Sequence, residues 1–151
     1  MRNPRFLALV LFSLALAAPV QAGEELADAL SEYLAFTEFQ GGNILPEQIG
    51  RSDWAEMQVI DARRDQDYAA GHIPGAEHIE WRTLVDRRDE IARDRLVVVY
   101  CNTGSLSAQG AFALKLLGYD NVKVLTGGYD GFVRKGGLDA QAQFLQAANG
   151  D

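Results

Sequence analysis

Three short β-type runs, at residues 57–60 (Met-Gln-Val-Ile), 96–100 (Leu-Val-Val-Val-Tyr) and 122–125 (Val-Lys-Val-Leu), punctuate the chain, and each is followed by a segment of helical character. Runs that are apolar and this brief suit a sheet covered on both faces far better than one with a solvated side. Strands alternating with helices then predict an α/β fold, with a central, mainly parallel sheet flanked by helices on both faces. In such sheets, sites lie at the carboxyl ends of strands. Asp61 follows one run directly, and the lone cysteine, Cys101, follows another.

The remaining elements read in order around this frame. Residues 24–38 form an amphipathic helix with Leu26, Leu30, Tyr33 and Leu34 on one side and acids near its start, ended by Gly41-Gly42. Residues 43–45 make a short strand, and Pro46 begins a small helix. A helical turn spans 65–70 and closes at Gly71, and a Pro- and Gly-bearing turn at 72–76 leads to a short strand at 78–80. Residues 81–91, rich in both charge signs, read as a solvated helix. Ser107 is expected to cap a helix over 108–117 that Gly118 ends. Gly127-Gly128 opens another to about 135, and Asp139 caps a last one through 148. No internal repeat or low-complexity linker divides the chain.

The beginning has a different character. Arg2 and Arg5 precede an almost wholly apolar stretch over 6–18, and Val20-Gln21-Ala22 places small residues where a signal peptidase reads them. Residues 1–22 are expected to be a secretory signal peptide cleaved after Ala22, leaving 23–151 as a single domain. The apolar run is short for a membrane span, so an uncleaved anchor is the weaker reading. Cleavage removes Arg2 and Arg5 and takes the formal charge from −7 to −9. So acidic a domain is a poor ligand for nucleic acid or anionic lipid. Export predicts a periplasmic location, where one cysteine forms no internal disulfide and stability rests on packing.

Cys101 stands between a core strand and the small polar residues Asn102, Thr103, Gly104, Ser105, Leu106 and Ser107. At that junction a thiol meets free backbone N–H groups and the positive end of a helix dipole, which favour the reactive thiolate. A buried apolar cysteine is the bland alternative, and the strand-to-loop placement argues against it. A depressed thiol needs no dedicated base, which suits a chain with two histidines. His72 is read as a structural hydrogen-bonding residue within its turn, and His78 as structural or exposed. One Cys and two His make no convincing zinc set, and no metal or organic cofactor is expected.

Taken together, Asp61-Ala62-Arg63, Tyr68, Gly71-His72-Ile73-Pro74-Gly75-Ala76, the Cys101 loop, Leu117-Gly118-Tyr119 and Gly127-Gly128 resemble the rhodanese (sulfurtransferase) domain in order and spacing. The likeness covers roughly 43–137 and leaves a helix outside at each end. Cys-Asn-Thr-Gly and the signal-like start especially resemble small single-domain rhodaneses of the bacterial periplasm. The resemblance implies that Cys101 accepts a sulfane sulfur, becomes a persulfide, and that the amides of residues 102–107 hold the terminal sulfur. Asp61, Arg63, Trp81 and Arg82 are candidates for the pocket, with a structural ion pair the competing role for Asp61 and Arg63. Two features depart from the pattern. Ser105-Leu106-Ser107 stands where many relatives carry an arginine, which weakens the case for thiosulfate as donor. Phe132 stands where a tryptophan is common, a packing exchange.

The function expected is therefore an exported sulfurtransferase working by double displacement. It would move sulfane sulfur from thiosulfate, a persulfide or a polysulfide to a thiol or cyanide. The alternative is a non-catalytic module that binds or senses sulfur species for a periplasmic protein partner, docking through its terminal helices. A phosphatase or arsenate reductase would need arginine six positions after the cysteine, where Ser107 stands.

Overall fold

The computed structural model describes residues 19–38 and 41–149, the side chains of 19–22 excepted. Most of the expected signal segment, 1–18, lies outside the described residues. The elements run α1 (Pro19–Phe36), β1 (Asn43–Ile44), β2 (Gln58–Asp61), α2 (Asp65–Ala70), β3 (Glu77–His78), β4 (Val97–Tyr100), α3 (Ser105–Leu116), β5 (Val122–Leu125), α4 (Gly128–Arg134) and α5 (Ala140–Ala148). The five strands form one sheet in the order β1-β5-β4-β2-β3, and every neighbouring pair is parallel.

Strand β4 explains why the sheet has two cores. All four of its residues are buried, and successive side chains point to opposite faces. Val97 and Val99 join Ile60, Leu84, Ala111, Leu114 and Val122 on one face. Val98 and Tyr100 join Ile49, Trp54, Ile73, Leu125 and Phe132 on the other. Phe132 meets Trp54 edge-on, ring centres 5.4 Å apart, so it fills a packing position as the sequence suggested.

Three local expectations are corrected. Residues 81–91 form no continuous helix; they make two single 3-10 turns, Trp81–Thr83 and Arg88–Glu90. Their backbone closes through side chains such as Glu80, which accepts from the Arg82 amide at 3.0 Å. Ser107 is not the cap of α3, because the helix begins at Ser105 and Gly104 takes the cap position in the left-handed region, φ 101°. Helix α1 packs less than its amphipathic pattern suggests. Tyr33 meets Phe112 at 5.1 Å, while Leu26 and Leu34 stay more than half exposed.

The turn after β5 locks the fold onto the Cys101 loop. Gly128 has φ +58°, and a Cβ there would collide with the Cys101 carbonyl and the Asn102 backbone. The amides of Tyr129 and Asp130 donate to the carbonyls of Cys101 and Asn102 at 2.8 and 3.0 Å. Gly128→Ala should therefore lower stability by roughly 2–4 kcal/mol in urea unfolding. A loss under about 0.5 kcal/mol, the scale of an ordinary surface change, would contradict this close approach.

Candidate active site

Parallel pairing sets Asp61 at the end of β2 opposite Tyr100 at the end of β4. The next residue, Cys101, is 3% exposed and lies at the floor of a cavity of about 500 Å³. Left-handed Gly104 turns the chain back over the thiol. The Gly104 amide donates to Cys101 Sγ at 3.2 Å, and the Ser107 hydroxyl lies 3.6 Å from the same sulfur. That hydroxyl is also 3.0 Å from the Gly104 carbonyl, so its single proton is shared between two acceptors. Burial pushes the Cys101 thiol up, but hydrogen bonds from the Ser107 amide and hydroxyl and from the Thr103 and Gly104 amides outweigh it. The net result is a thiol below its ordinary value. The cradle is made of dipoles; no cation enters from α3, since the sixth position after Cys101 holds buried Ser107.

Beneath the loop lies a polar network. Asp61 is fully buried and receives Arg63 Nη2 at 2.6 Å and the Tyr100 hydroxyl at 2.7 Å. Arg63 also donates to the Gly71 carbonyl at 2.6 Å and reaches Asn102 Oδ1 at 3.4 Å. Its guanidinium sits 4.2 Å from the Tyr129 ring centre. Burial alone would lower the Arg63 pKa; the hydrogen bonds and charge of Asp61 reverse that and leave it raised. Burial and the bond to Asp61 drive the Tyr100 hydroxyl well above its ordinary value, so it acts as a donor. Asp61 and Arg63 thus form the structural pair, and Arg63 also lines the cavity.

The histidines serve the backbone. His72 Nδ1 lies 3.0 Å from the Tyr68 carbonyl, and its ring stacks on Tyr68 at 4.0 Å. His78 Nε2 lies 2.8 Å from the Arg63 carbonyl. Neither lines the cavity above Cys101. Among the described residues, no group of three or more His, Cys, Asp or Glu side chains could hold a metal ion.

A family model described as "Rhodanese-like domain" matches residues 45–135. The chain belongs to the rhodanese-like domain family. The match leaves α1 and α5 outside. Among curated relatives, a protein named "Sulfurtransferase" from Allochromatium vinosum is 34% identical over 85 residues, which is 56% of this chain and 79% of that protein. The thiosulfate sulfurtransferase GlpE of Pseudomonas paraeruginosa is 36% identical over 87 residues, 58% of this chain and 79% of its own. A solved rhodanese-related protein from Thermoplasma volcanium shares the fold, with TM-score 0.58 at 23% identity over 64% of this chain and 94% of that one.

Within this rhodanese-like domain, the residues singled out from the sequence separate. Cys101, Asn102, Thr103, Leu106, Arg63, Trp81 and Arg82 line one cavity. Asp61 lies behind it, and Ser107 points its hydroxyl at the sulfur from the first turn of α3. Ser105 does not reach the cavity; its hydroxyl lies 3.3 Å from that of Thr103 on the exposed side. Sequence reasoning missed Arg64, Asp67 and Glu80 on the cavity wall and Tyr129 under Arg63. Their positions were the available signal: Arg64 follows the end of β2, Glu80 that of β3, and Tyr129 the Gly-Gly turn.

Removing one partner from the buried pair should cost far more than removing both. Asp61→Ala is expected to lose about 3–5 kcal/mol in urea unfolding, because the Arg63 charge is left buried and unpaired. Adding Arg63→Met should recover part of that loss. A double variant less stable than Asp61→Ala would contradict the assignment of this pair as a desolvated charge pair.

Proposed function

We propose that the protein is an exported sulfurtransferase that carries sulfane sulfur as a Cys101 persulfide. The observation that carries this reading is the buried Sγ held by the Gly104 amide and the Ser107 hydroxyl at the bottom of an open cavity. Oriented amides stabilise a thiolate, and they stabilise equally the anionic terminal sulfur of a persulfide. The sulfurtransferase names of the relatives lend further support.

The cycle is a double displacement. Cys101 thiolate attacks the sulfane sulfur of a donor, a new S–S bond forms, and the donor's remaining group leaves with the electron pair of the broken bond. With thiosulfate the leaving group is sulfite; with an organic persulfide or polysulfide it is a thiolate or shortened polysulfide. In the second half, a thiol or cyanide attacks the terminal sulfur and returns Cys101 as thiolate. The chain has one cysteine, so discharge requires an external acceptor. The basic and apolar start, ending in Val20-Gln21-Ala22, supports a periplasmic location. No described helix is long and apolar enough to cross a membrane.

Intact mass after exposure to thiosulfate, and separately to polysulfide, tests the cycle. One added sulfur is expected, absent from Cys101→Ala and removed by cyanide with release of thiocyanate. No gain from either donor in folded, reduced protein would overturn the enzyme reading and favour a module that binds sulfur species for a partner.

A further inference from the structure

Two arginines at the mouth of the cavity are only half engaged. Arg64 meets Asp67 through Nε at 3.2 Å, and Arg82 meets Glu80 through Nε at 2.9 Å. Among the described residues, the Nη atoms of neither have a hydrogen-bond partner. Both side chains are largely exposed, 72% and 68%, and ion pairs that open to water exchange readily. Arg63 differs in kind: its Nε and both Nη atoms are committed to Asp61, Gly71 and Asn102. Its charge is paired with Asp61, and of its five N–H groups one on Nη1 is without a partner among the described residues.

The two rim arginines also wall an adjoining groove with Gln66 and Thr83. Trp81 and Leu106, the latter 40% exposed, give the wall an apolar part beside Asn102 and Thr103, and Asp67 and Glu80 line the cavity with the two arginines. The site presents the Cys101 sulfur, a partly apolar wall and two guanidinium groups whose Nη edges have no hydrogen-bond partner among the described residues. That order fits a molecule with sulfane sulfur at one end, an aliphatic stem, and carboxylates at the far end. We infer that the donor is a low-molecular-weight organic persulfide bearing carboxylates, with Arg64 and Arg82 as specificity-determining residues. This rests on the sulfurtransferase reading of Cys101. Thiosulfate is the poorer fit. Its charge lies on the group next to the reacting sulfur, where the loop offers dipoles and no uncommitted cation, and it would occupy a small part of a cavity of about 500 Å³.

The step balances without an oxidant or reductant. Cys101–S⁻ attacks the terminal sulfur of R–S–SH, the Sγ–S bond forms, the donor S–S bond breaks, and R–S⁻ leaves with its electron pair. The proton stays on the transferred sulfur as Cys101–S–SH or is lost to water. The departing sulfur itself carries one negative charge, with the carboxylates held apart from it, against two on sulfite.

The test compares the rate of Cys101 loading by glutathione persulfide, by uncharged 2-hydroxyethyl persulfide and by thiosulfate, in the purified protein at low salt. Glutathione persulfide should load about tenfold faster than the uncharged donor, as two charge-assisted contacts would give. In the Arg64→Gln/Arg82→Gln double variant that ratio should fall toward one, through KM rather than kcat. A ratio near one in the unaltered protein, or one that survives the double variant, overturns the inference while leaving sulfur transfer intact. Binding of S-methylglutathione to Cys101→Ser protein reads the subsite without any sulfur transfer, and the double variant should weaken it about tenfold. If no donor loads Cys101 but this arginine-dependent binding is present, the sulfurtransferase reading fails and the anionic subsite stands. If neither loading nor binding occurs, both fall.

Discussion

The pairing of β2 with β4 is the constraint on which the rest of the site depends. Register places Asp61 opposite Tyr100, and both polar groups are buried at the point where the strands end. A buried carboxylate is tolerated only when paired and hydrogen-bonded. Arg63 and the Tyr100 hydroxyl meet that need, and the Ile73 amide in turn donates to the Tyr100 oxygen at 3.1 Å. The same network reaches Asn102 from below, while Gly128 and the following amides hold the loop from behind. The loop that carries Cys101 is therefore fixed by elements on three sides before any substrate arrives.

The division of labour between dipoles and charges follows from this arrangement. The cation nearest the loop, Arg63, is consumed by Asp61, and the position where α3 could have supplied another holds Ser107. Stabilisation of anionic sulfur falls to backbone N–H groups and one hydroxyl, which cost little to bury because they also complete the loop's own turn. At the rim, Arg64 and Arg82 pair with Asp67 and Glu80 through Nε, while their Nη edges have no hydrogen-bond partner among the described residues. Charge recognition and sulfur chemistry are thereby separated in space.

Much of this was legible in the sequence. Strand β5 and helix α2 fall where the residue pattern predicts them, since a β-branched run and a Gly stop are local signals. The place of Cys101 at the carboxyl end of β4 was legible because a run of β-formers stops there and small polar residues follow. The start of α3 was misjudged for a physical reason: Gly104, which occupies the cap in the left-handed region, competes with Ser107 for that role, and the hydroxyl was wanted by the sulfur instead. The 81–91 segment misled because mixed charges favour a helix locally, while its path is set by long-range contacts. Leu84 is fully buried against α3, and the Tyr119 hydroxyl donates to the Arg88 carbonyl at 2.8 Å. Arg64 was invisible because its neighbour carries the motif, and only the three-dimensional rim shows that its Nη edge has no hydrogen-bond partner among the described residues.

The central claim is that loop dipoles, without a cation, lower the Cys101 thiol below its ordinary value. Its most direct test is the pH dependence of Cys101 alkylation in the folded protein, beside Ser107→Ala. A midpoint below the ~8.5 of an unperturbed thiol, moved upward in Ser107→Ala, is the predicted result. A midpoint at or above that of a free thiol, unchanged by removing the hydroxyl, would contradict it.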